Sequence, residues 1–169
     1  MKVTTTNIAG LLLLKPDVYK DKRGFFMETY TEEKYFQEGI ENIFVQDNYS
    51  HSKQDVLRGL HFQLKKPQGK LVRIIKGTVF DVALDVRLGS PTFGHHFSIL
   101  LDDQDFHQLF LPPGLAHGFC VISEFADFEY KCTDYYNPGD EVGILWNDPE
   151  LGIKWPVQNP IVSPRDQAF

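Results

Sequence analysis

The chain of 169 residues has few cysteines and no long apolar run. Its two cysteines, Cys120 and Cys132, lie in apolar surroundings without the spacing of a metal site, so we expect two reduced, buried thiols rather than a disulfide. The longest N-terminal apolar run, Leu11 to Leu14, is too short for a membrane span or for the core of a signal peptide. We therefore expect a cytoplasmic protein.

The chain also has fewer positive than negative charges. Its 17 lysines and arginines and its 23 aspartates and glutamates give a formal net charge of -6. This balance argues against nucleic acid or an anionic membrane as a general partner, so an anionic ligand has to meet a local group of cations in a pocket. There is no Walker loop, no Gly-x-Gly-x-x-Gly sequence and no Gly-x-Ser-x-Gly elbow. Nucleotide hydrolases, Rossmann enzymes and serine hydrolases therefore have no support.

The composition and the short segments of the chain predict one globular, all-β domain over residues 1–169. It is 42% hydrophobic and 14% aromatic, and its glycines and prolines divide it into many short segments. One helix is predicted from Glu32 to Gln37, with Thr31 as its N-cap and Gly39 after its end. The predicted strands span residues 3–14, 23–30, 44–50, 56–63, 70–76, 78–88, 94–101, 107–111, 116–122, 126–136 and 142–146. So many strands favour a jelly roll or closed sandwich, with the irregular tail of residues 148–169 wrapped around it.

The most unusual strand, Val56–Gln63, carries a guanidinium, an imidazole and a carboxamide where a structural strand has aliphatic side chains. His61 shares a face with Gly59 and Gln63, whereas Arg58 points to the opposite face of a regular strand. For Arg58 and His61 to meet one ligand, Gly59 has to mark a bulge; otherwise Arg58 serves another part of the site. Spacing alone leaves a core histidine and a functional histidine about equally supported.

A second histidine, His117, follows a turn in the pattern Pro-x-Gly-x-x-His. This pattern, downstream of a Gly-x-His strand, resembles the two motifs of the cupin barrels. Metal-binding cupins carry His-x-His followed by a glutamate, whereas here the second position is Gln63 and no acidic residue occurs in 64–80. Two histidines near Lys70 without an anionic ligand make a poor site for a divalent cation, so we expect no required metal.

The segment of residues 129–136 would place Tyr130, Cys132, Asp134 and Tyr136 on one face if it stays extended. Aromatic residues in strands usually serve packing. A phenol in a polar cavity could instead donate a proton, and a second one could stack on a base or sugar. The sequence alone leaves these alternatives open.

Taken together, seven motifs in order resemble the dTDP-4-dehydrorhamnose 3,5-epimerase family. The resemblance runs from about Arg23 to Asp166. The motifs are Gln46-Asp47-Asn48, Arg58-Gly59-Leu60-His61, Gln68-Gly69-Lys70-Leu71-Val72, Ser90-Pro91-Thr92-Phe93-Gly94, Pro113-Gly114-Leu115-Ala116-His117-Gly118-Phe119, Tyr130-Lys131-Cys132-Thr133-Asp134-Tyr135-Tyr136 and Trp146-Asn147-Asp148-Pro149. The resemblance implies a cupin-type jelly-roll barrel, a homodimer, no cofactor, and inversion of the two carbons that flank the ketone of a dTDP-linked 4-keto-6-deoxyhexose.

By position, the resemblance also implies roles for single residues. His61 matches the general base and Asp166 the carboxylate that pairs with it, while Tyr130 matches the general acid. Lys70 matches the lysine near the keto oxygen, and Tyr136 the aromatic residue that stacks on thymine. The substrate-binding positions further include Arg23, Glu28, Gln46, Asn48, Arg58, His117, Glu141 and Arg165, the last of which stands where a lysine is common.

Three alternatives differ in outcome. An epimerase acting at C3 or C5 alone, or a ketoisomerase, would keep the fold and the substrate class. A metal-dependent cupin oxygenase is opposed by Gln63 and by the missing glutamate. A sugar-binding cupin without activity would leave the combination of His61, Tyr130 and Lys70 unexplained.

Overall fold

The computed structural model describes residues 1–169 and is nearly all β, as predicted. Its one helix has six residues, and no helix is long and apolar enough to cross a membrane. The elements are β1 (Lys2–Thr5), β2 (Leu12–Lys15), β3 (Val18–Asp21), β4 (Gly24–Met27), α1 (Glu32–Gln37), β5 (Gln46–Lys53), β6 (Val56–Gln63), β7 (Lys70–Lys76), β8 (Thr78–Asp85), β9 (His96–Asp102), β10 (Gln108–Leu111), β11 (Leu115–Val121), β12 (Phe125–Cys132), β13 (Glu141–Gly143) and β14 (Ile161–Val162).

The strands form two larger sheets and one separate hairpin. The first sheet has the order β1-β2-β10-β7-β12-β5, and the second has the order β13-β6-β11-β8-β9. All these neighbours are antiparallel, and β14 adds to the second sheet as a parallel partner of β6. The hairpin β3-β4 pairs only with itself, and neither large sheet closes on itself.

The main core lies between the two sheets. Val72 and Phe128 from the first sheet share one buried cluster with Ala83 and Phe119 from the second. The rings of Phe119 and Phe128 stack across the sheets with centroids 4.3 Å apart. Burial of such aromatic and aliphatic surface supplies most of the driving force that holds two sheets together.

The outer face of β8 is buried as well. Val82 and Leu84 on this face form a smaller cluster that is covered by tail residues Leu151, Ile153 and Trp155. The tail therefore packs over the second sheet, as the sequence analysis expected. Both faces of β8 are therefore buried.

The N-terminal strands differ from the prediction. The single strand expected over residues 3–14 is β1 and β2, joined by a turn in which the Thr6 hydroxyl bonds the backbone of Ile8 and Leu11 and Gly10 has a φ of +81°. Only Gly24–Met27 of the strand predicted over residues 23–30 is extended, and it pairs with β3, which the prediction missed.

The helix lies where it was predicted, from Glu32 to Gln37. Thr31 occupies the predicted N-cap position, although its side chain makes no capping hydrogen bond. Gly39, just after the helix, has a φ of +88°, a conformation that glycine adopts at no steric cost.

The loop that follows β8 is held by the buried carboxylate of Asp85. This carboxylate accepts hydrogen bonds from Arg87 at 2.7 and 2.9 Å, from the Ser90 hydroxyl at 2.6 Å and from the Thr92 hydroxyl at 2.7 Å. Burial alone would raise the pKa of Asp85, but these bonds together outweigh burial and hold the pKa well below its usual range. Ionised Asp85 therefore contributes stability above its unfolded-state pKa, and this contribution is lost as the pH falls through the folded-state value.

We expect Asp85→Asn to lower the free energy of unfolding at neutral pH by about 3 kcal/mol, because Arg87 loses its buried partner. Urea denaturation followed by fluorescence measures this loss, which should shrink as the pH is lowered. Asp47→Asn is the control: its ion pair with Lys131 is at the surface, and its removal should leave the unfolding free energy unchanged. Equal losses in the two variants would contradict the role given to Asp85.

Candidate active site

A cavity of about 690 Å³ lies between the two sheets. The first sheet lines it with β5, β7 and β12, the second sheet with β6 and β11, and the chain after β14 closes one side. Every predicted site residue except Arg23 and Glu28 lines this cavity. The residues brought together are Gln46, Asn48, Arg58, His61, Lys70, His117, Tyr130, Tyr136, Glu141, Arg165 and Asp166.

A bulge in β6 brings Arg58 and His61 to the same cavity. His61 pairs with His117 of β11 and Arg58 pairs with Phe119, so β6 has one residue more than β11 between these pairs. Gly59 in the bulge has a φ of +133°, and a Cβ atom there would lie 2.5 Å from the Cα of Gly118. Only glycine fits such a close approach of two backbones. Of the two alternatives for Arg58, the bulge at Gly59 is thus the one found in the structure.

The imidazole of His61 is paired with the carboxylate of Asp166 from the tail. The distance from Nε2 of His61 to Oδ1 of Asp166 is 2.7 Å, and Asp166 is only 4% exposed. Oδ2 of Asp166 accepts a hydrogen bond from the backbone amide of Gly59 at 3.2 Å. Since a carboxylate only accepts, the neutral imidazole carries its proton on Nε2 and keeps Nδ1 as its basic nitrogen.

Tyr130 and Lys70 lie on the opposite wall, in neighbouring strands of the first sheet. The ammonium of Lys70 is 5.8 Å from the centroid of the Tyr130 ring. Burial raises the pKa of Tyr130 to about 12, so this phenol keeps its proton at neutral pH. Burial lowers the pKa of Lys70, although the nearby Cys132 and Glu141 oppose the change, and this makes the ammonium a better proton donor than an exposed lysine.

A second histidine and carboxylate pair lies deeper between the sheets. Nε2 of His117 is 3.0 and 3.1 Å from the two carboxylate oxygens of Asp81, and both side chains are buried. Asp81 lies in the strand predicted over residues 78–88, but no role was predicted for it. The signal that could have identified it is an acidic residue between Phe80 and Val82 in a strand with apolar residues on both faces.

Two arginines at the cavity differ in their partners. Arg58 donates to the Ser52 hydroxyl at 3.1 Å and has no carboxylate within ion-pair distance. Arg165 pairs with Glu141 at 2.8 Å and lies 3.5 Å from the Tyr136 hydroxyl. The guanidinium of Arg58 is therefore available to an anionic ligand, whereas Arg165 is held at the edge of the cavity by its partner.

Tyr136 lies in a loop and not in the strand that was predicted to contain it. Strand β12 ends at Cys132, so Asp134 and Tyr136 do not continue the face that Tyr130 shares with Cys132. Tyr136 lies instead in the loop before β13 and still lines the cavity. The strand predicted over residues 126–136 is therefore wrong after Cys132, so the shared face that depended on an extended segment does not form, although Tyr130 and Tyr136 line the same cavity.

Arg23 and Glu28 lie away from the cavity. Arg23, at the turn of the β3-β4 hairpin, pairs with Asp21, and its side chain is 84% exposed. Glu28 forms an ion pair with Lys34 of α1. Within one chain the structure does not bring these two predicted residues to the others. No three His, Cys, Asp or Glu side chains converge to form a metal site.

Comparison with known proteins gives consistent results. The family model described as dTDP-4-dehydrorhamnose 3,5-epimerase matches residues 5–169. The dTDP-4-dehydrorhamnose 3,5-epimerase of Neisseria gonorrhoeae is 52% identical over 99% of the chain, which spans about half (52%) of that relative's length. The enzyme of the same name from Methanothermobacter thermautotrophicus is 47% identical, over 97% of this chain and 90% of the relative.

Among solved structures, the crystal structure of dTDP-6-deoxy-D-glucose-3,5-epimerase from Legionella pneumophila, in complex with dTDP-4-keto-L-rhamnose, superposes with a TM-score of 0.96. It is 48% identical, and the match covers 99% of this chain and 90% of that one. The family model, the sequence relatives and the superposed fold agree over nearly the whole chain. The chain belongs to the dTDP-4-dehydrorhamnose 3,5-epimerase family.

Proposed function

We propose that this protein inverts C3 and C5 of dTDP-4-dehydro-6-deoxy-D-glucose to give dTDP-4-dehydro-L-rhamnose, without a metal or cofactor. The observation that carries the proposal is the placement of a carboxylate-paired imidazole and a protonated phenol on opposite walls of one cavity. The Legionella relative, whose structure contains dTDP-4-keto-L-rhamnose, supports the substrate class.

His61 serves as the general base. A hydrogen next to a ketone is weakly acidic, so its removal needs a positioned base that is neutral at the working pH. The Asp166 carboxylate fixes the ring orientation and stabilises the imidazolium that forms when Nδ1 takes the proton. Removing a proton from C3 or C5 leaves a negative charge that is shared with the C4 oxygen.

Lys70 stabilises that charge, and Tyr130 donates its own proton to the carbon; His61 then loses the abstracted proton to solvent and the Tyr130 phenolate regains one from it. An ammonium beside the C4 oxygen binds the enolate more tightly than the neutral ketone, which lowers the barrier of the chemical step. Inversion requires the new proton to arrive on the face opposite the base. Tyr130 belongs to the sheet that faces His61 and holds its proton at neutral pH, so it fits the role of acid. Because C3 and C5 both flank C4, one such site can act on both carbons.

The nucleotide end of the substrate is bound by charge and by stacking. Arg58 has no carboxylate partner and is suited to the pyrophosphate, and Arg165 lies close enough to Tyr136 to serve the same ligand. The exposed ring of Tyr136 at the cavity edge offers a surface for thymine. Gln46, Asn48, His117 and Glu141 supply polar groups along the cavity wall.

We also propose that the single domain is a cupin-type jelly roll that acts as a cytoplasmic homodimer. Two packed antiparallel sheets with a cavity between them support the fold, and two free, buried cysteines support a reducing compartment. The hairpin β3-β4 exposes Tyr19, Phe25 and Phe26, an apolar surface suited to a second copy. In such a dimer Arg23 and Glu28 would reach the partner's cavity.

Proton NMR of dTDP-4-dehydro-6-deoxyglucose in heavy water tests the reaction itself. With the protein added, deuterium should replace hydrogen at both C3 and C5, at the same rate with and without a chelator. Exchange at one carbon only would select an epimerase that acts at one centre, and loss of exchange with chelator would overturn the metal-free mechanism. No exchange at either carbon would indicate a protein that binds the sugar without catalysing a reaction.

The same assay separates base from acid. His61→Ala should abolish exchange at both carbons while TDP binding, measured by calorimetry, stays close to the unmodified affinity, because the base does not hold the nucleotide. Tyr130→Phe should keep exchange better than inversion, because His61 still removes protons when no acid stands on the opposite face. Loss of TDP affinity in parallel with turnover in both variants would count against these roles.

The fall of the reaction rate at alkaline pH should reflect deprotonation of Lys70. Its pKa is lowered by burial, so activity should fall as the pH rises through a value below the ordinary lysine value of about 10.4, whereas Tyr130 titrates only at about 12. When exchange rates are measured from neutral to alkaline pH, the rate should still fall at alkaline pH in Tyr130→Phe. It should no longer fall in Lys70→Arg, since arginine stays charged. A fall that disappears in Tyr130→Phe would assign it to the phenol instead.

A heterodimer tests whether Arg23 acts in the partner's site. One subunit carries Arg23→Ala and the other His61→Ala, with different affinity tags so that the mixed dimer can be purified. If Arg23 crosses the interface, both lesions fall in one site, the other site is intact, and the heterodimer has about half the unmodified activity. If Arg23 serves its own chain, each site carries one lesion and activity stays near that of the single variants.

A further inference from the structure

Gln63, at the end of β6, is the residue that stands where metal-binding cupins have their second histidine, and the proposed mechanism gives it no role. It is buried, with 4% of its surface exposed. A buried carboxamide needs partners for both of its ends, because each unsatisfied polar atom would cost stability. Its contacts therefore indicate what it holds in place.

Both ends of this carboxamide bind the backbone of the loop between β12 and β13. Oε1 of Gln63 accepts a hydrogen bond from the amide of Asn137 at 2.6 Å. Nε2 donates to the carbonyl of Tyr135 at 3.4 Å and to that of Lys66 at 3.0 Å. The two residues on either side of Tyr136 are thus bound by one side chain.

The loop around Tyr136 depends on such side-chain bonds. Oε1 of Gln46 accepts the amide of Tyr136 itself at 2.9 Å, and Nε2 of Gln68 donates to the carbonyl of Asp134 at 2.6 Å. No backbone amide in residues 134–137 donates to another backbone group, and only the Asn137 carbonyl accepts from one. Without a strand ladder, the carboxamides fix where the ring of Tyr136 lies.

We propose that Gln63 is a positioning residue for nucleotide binding, which holds the backbone on both sides of Tyr136 so that the ring is preorganised to stack on the base. This inference rests on the proposed function, in which Tyr136 binds thymine. A carboxamide is suited to this task because it donates and accepts at once, whereas a carboxylate only accepts and a hydrocarbon does neither. Fixing the loop before the ligand arrives lowers the entropy lost on binding.

Calorimetry of TDP binding to the full chain tests the proposal through a double-mutant cycle. Tyr136→Ala should weaken TDP binding by about tenfold, the loss expected when a stacking ring is removed. Gln63→Met, which keeps the size of the side chain and removes its hydrogen bonds, should weaken binding by about three- to tenfold. If Gln63 acts through Tyr136, the double variant should bind TDP no more weakly than Tyr136→Ala.

Two further variants provide a second substitution of Gln63 and a control. Gln63→Glu retains the acceptor for Asn137 and loses only the donor, so it should bind TDP more weakly than the unmodified protein even if Gln63→Met fails to fold. Gln54→Met is the matched control, because Gln54 also donates to a backbone carbonyl, that of Ile122, but does not line the cavity. It should bind TDP with unchanged affinity.

The outcomes separate the inference from the function on which it rests. Unchanged TDP affinity in the Gln63 variants, or losses that add fully to that of Tyr136→Ala, would overturn the role of Gln63. No TDP binding by the unmodified protein, or no loss in Tyr136→Ala, would instead overturn thymine stacking and with it the proposed nucleotide site. Loss in the Gln63 variants that disappears once Tyr136 is alanine supports both.

Discussion

The arrangement of the active site depends on the carboxylate of Asp166, which joins two parts of the chain that lie far apart in sequence. One oxygen accepts a hydrogen bond from the imidazole of His61, and the other accepts a hydrogen bond from the backbone amide of Gly59, which lies in the bulge of β6. The bulge turns His61 and Arg58 toward one cavity, and the parallel pairing of β14 with β6 brings the tail alongside. Because these features share one carboxylate, the imidazole of His61, the proposed base, has a defined orientation only when the tail is packed against the second sheet.

The two-sheet architecture places the proposed acid and the proposed base on opposite walls of the cavity. His61 belongs to the second sheet and Tyr130 to the first, and the stacked rings of Phe119 and Phe128 line the space between them. An apolar wall of this kind disfavours charged groups, which raises the pKa of Tyr130 and lowers that of Lys70. Burial thus keeps the phenol protonated and makes the ammonium a stronger proton donor.

Much of this arrangement could be predicted from sequence. Alternating apolar residues indicate strands, and the odd spacing of Arg58 and His61 means that both can reach one ligand only if Gly59 forms a bulge. The extent of the strands was less predictable where side chains bind the backbone. The Thr6 hydroxyl interrupts a run that reads as one strand, and β12 ends at Cys132 although the following residues favour extension. The strand pattern singles out Asp81 as a charged residue among apolar ones, but its partner His117 lies in another strand and cannot be read from it. The partners of Asp85 follow it closely in sequence, yet only the folded loop brings them to one carboxylate.

The two arginines of the cavity differ in whether a carboxylate holds them. Four of the five arginines in the chain pair with a carboxylate, so the unpaired guanidinium of Arg58 at a cavity is informative. Arg58 is bound only by a hydroxyl, so an incoming diphosphate need not displace an anion from it. Arg165 is held by Glu141 beside Tyr136, and a ligand that engages it has to compete with that carboxylate. In the proposed function the two arginines therefore have different tasks: Arg58 attracts the diphosphate, and Glu141 holds Arg165 in position until the ligand binds.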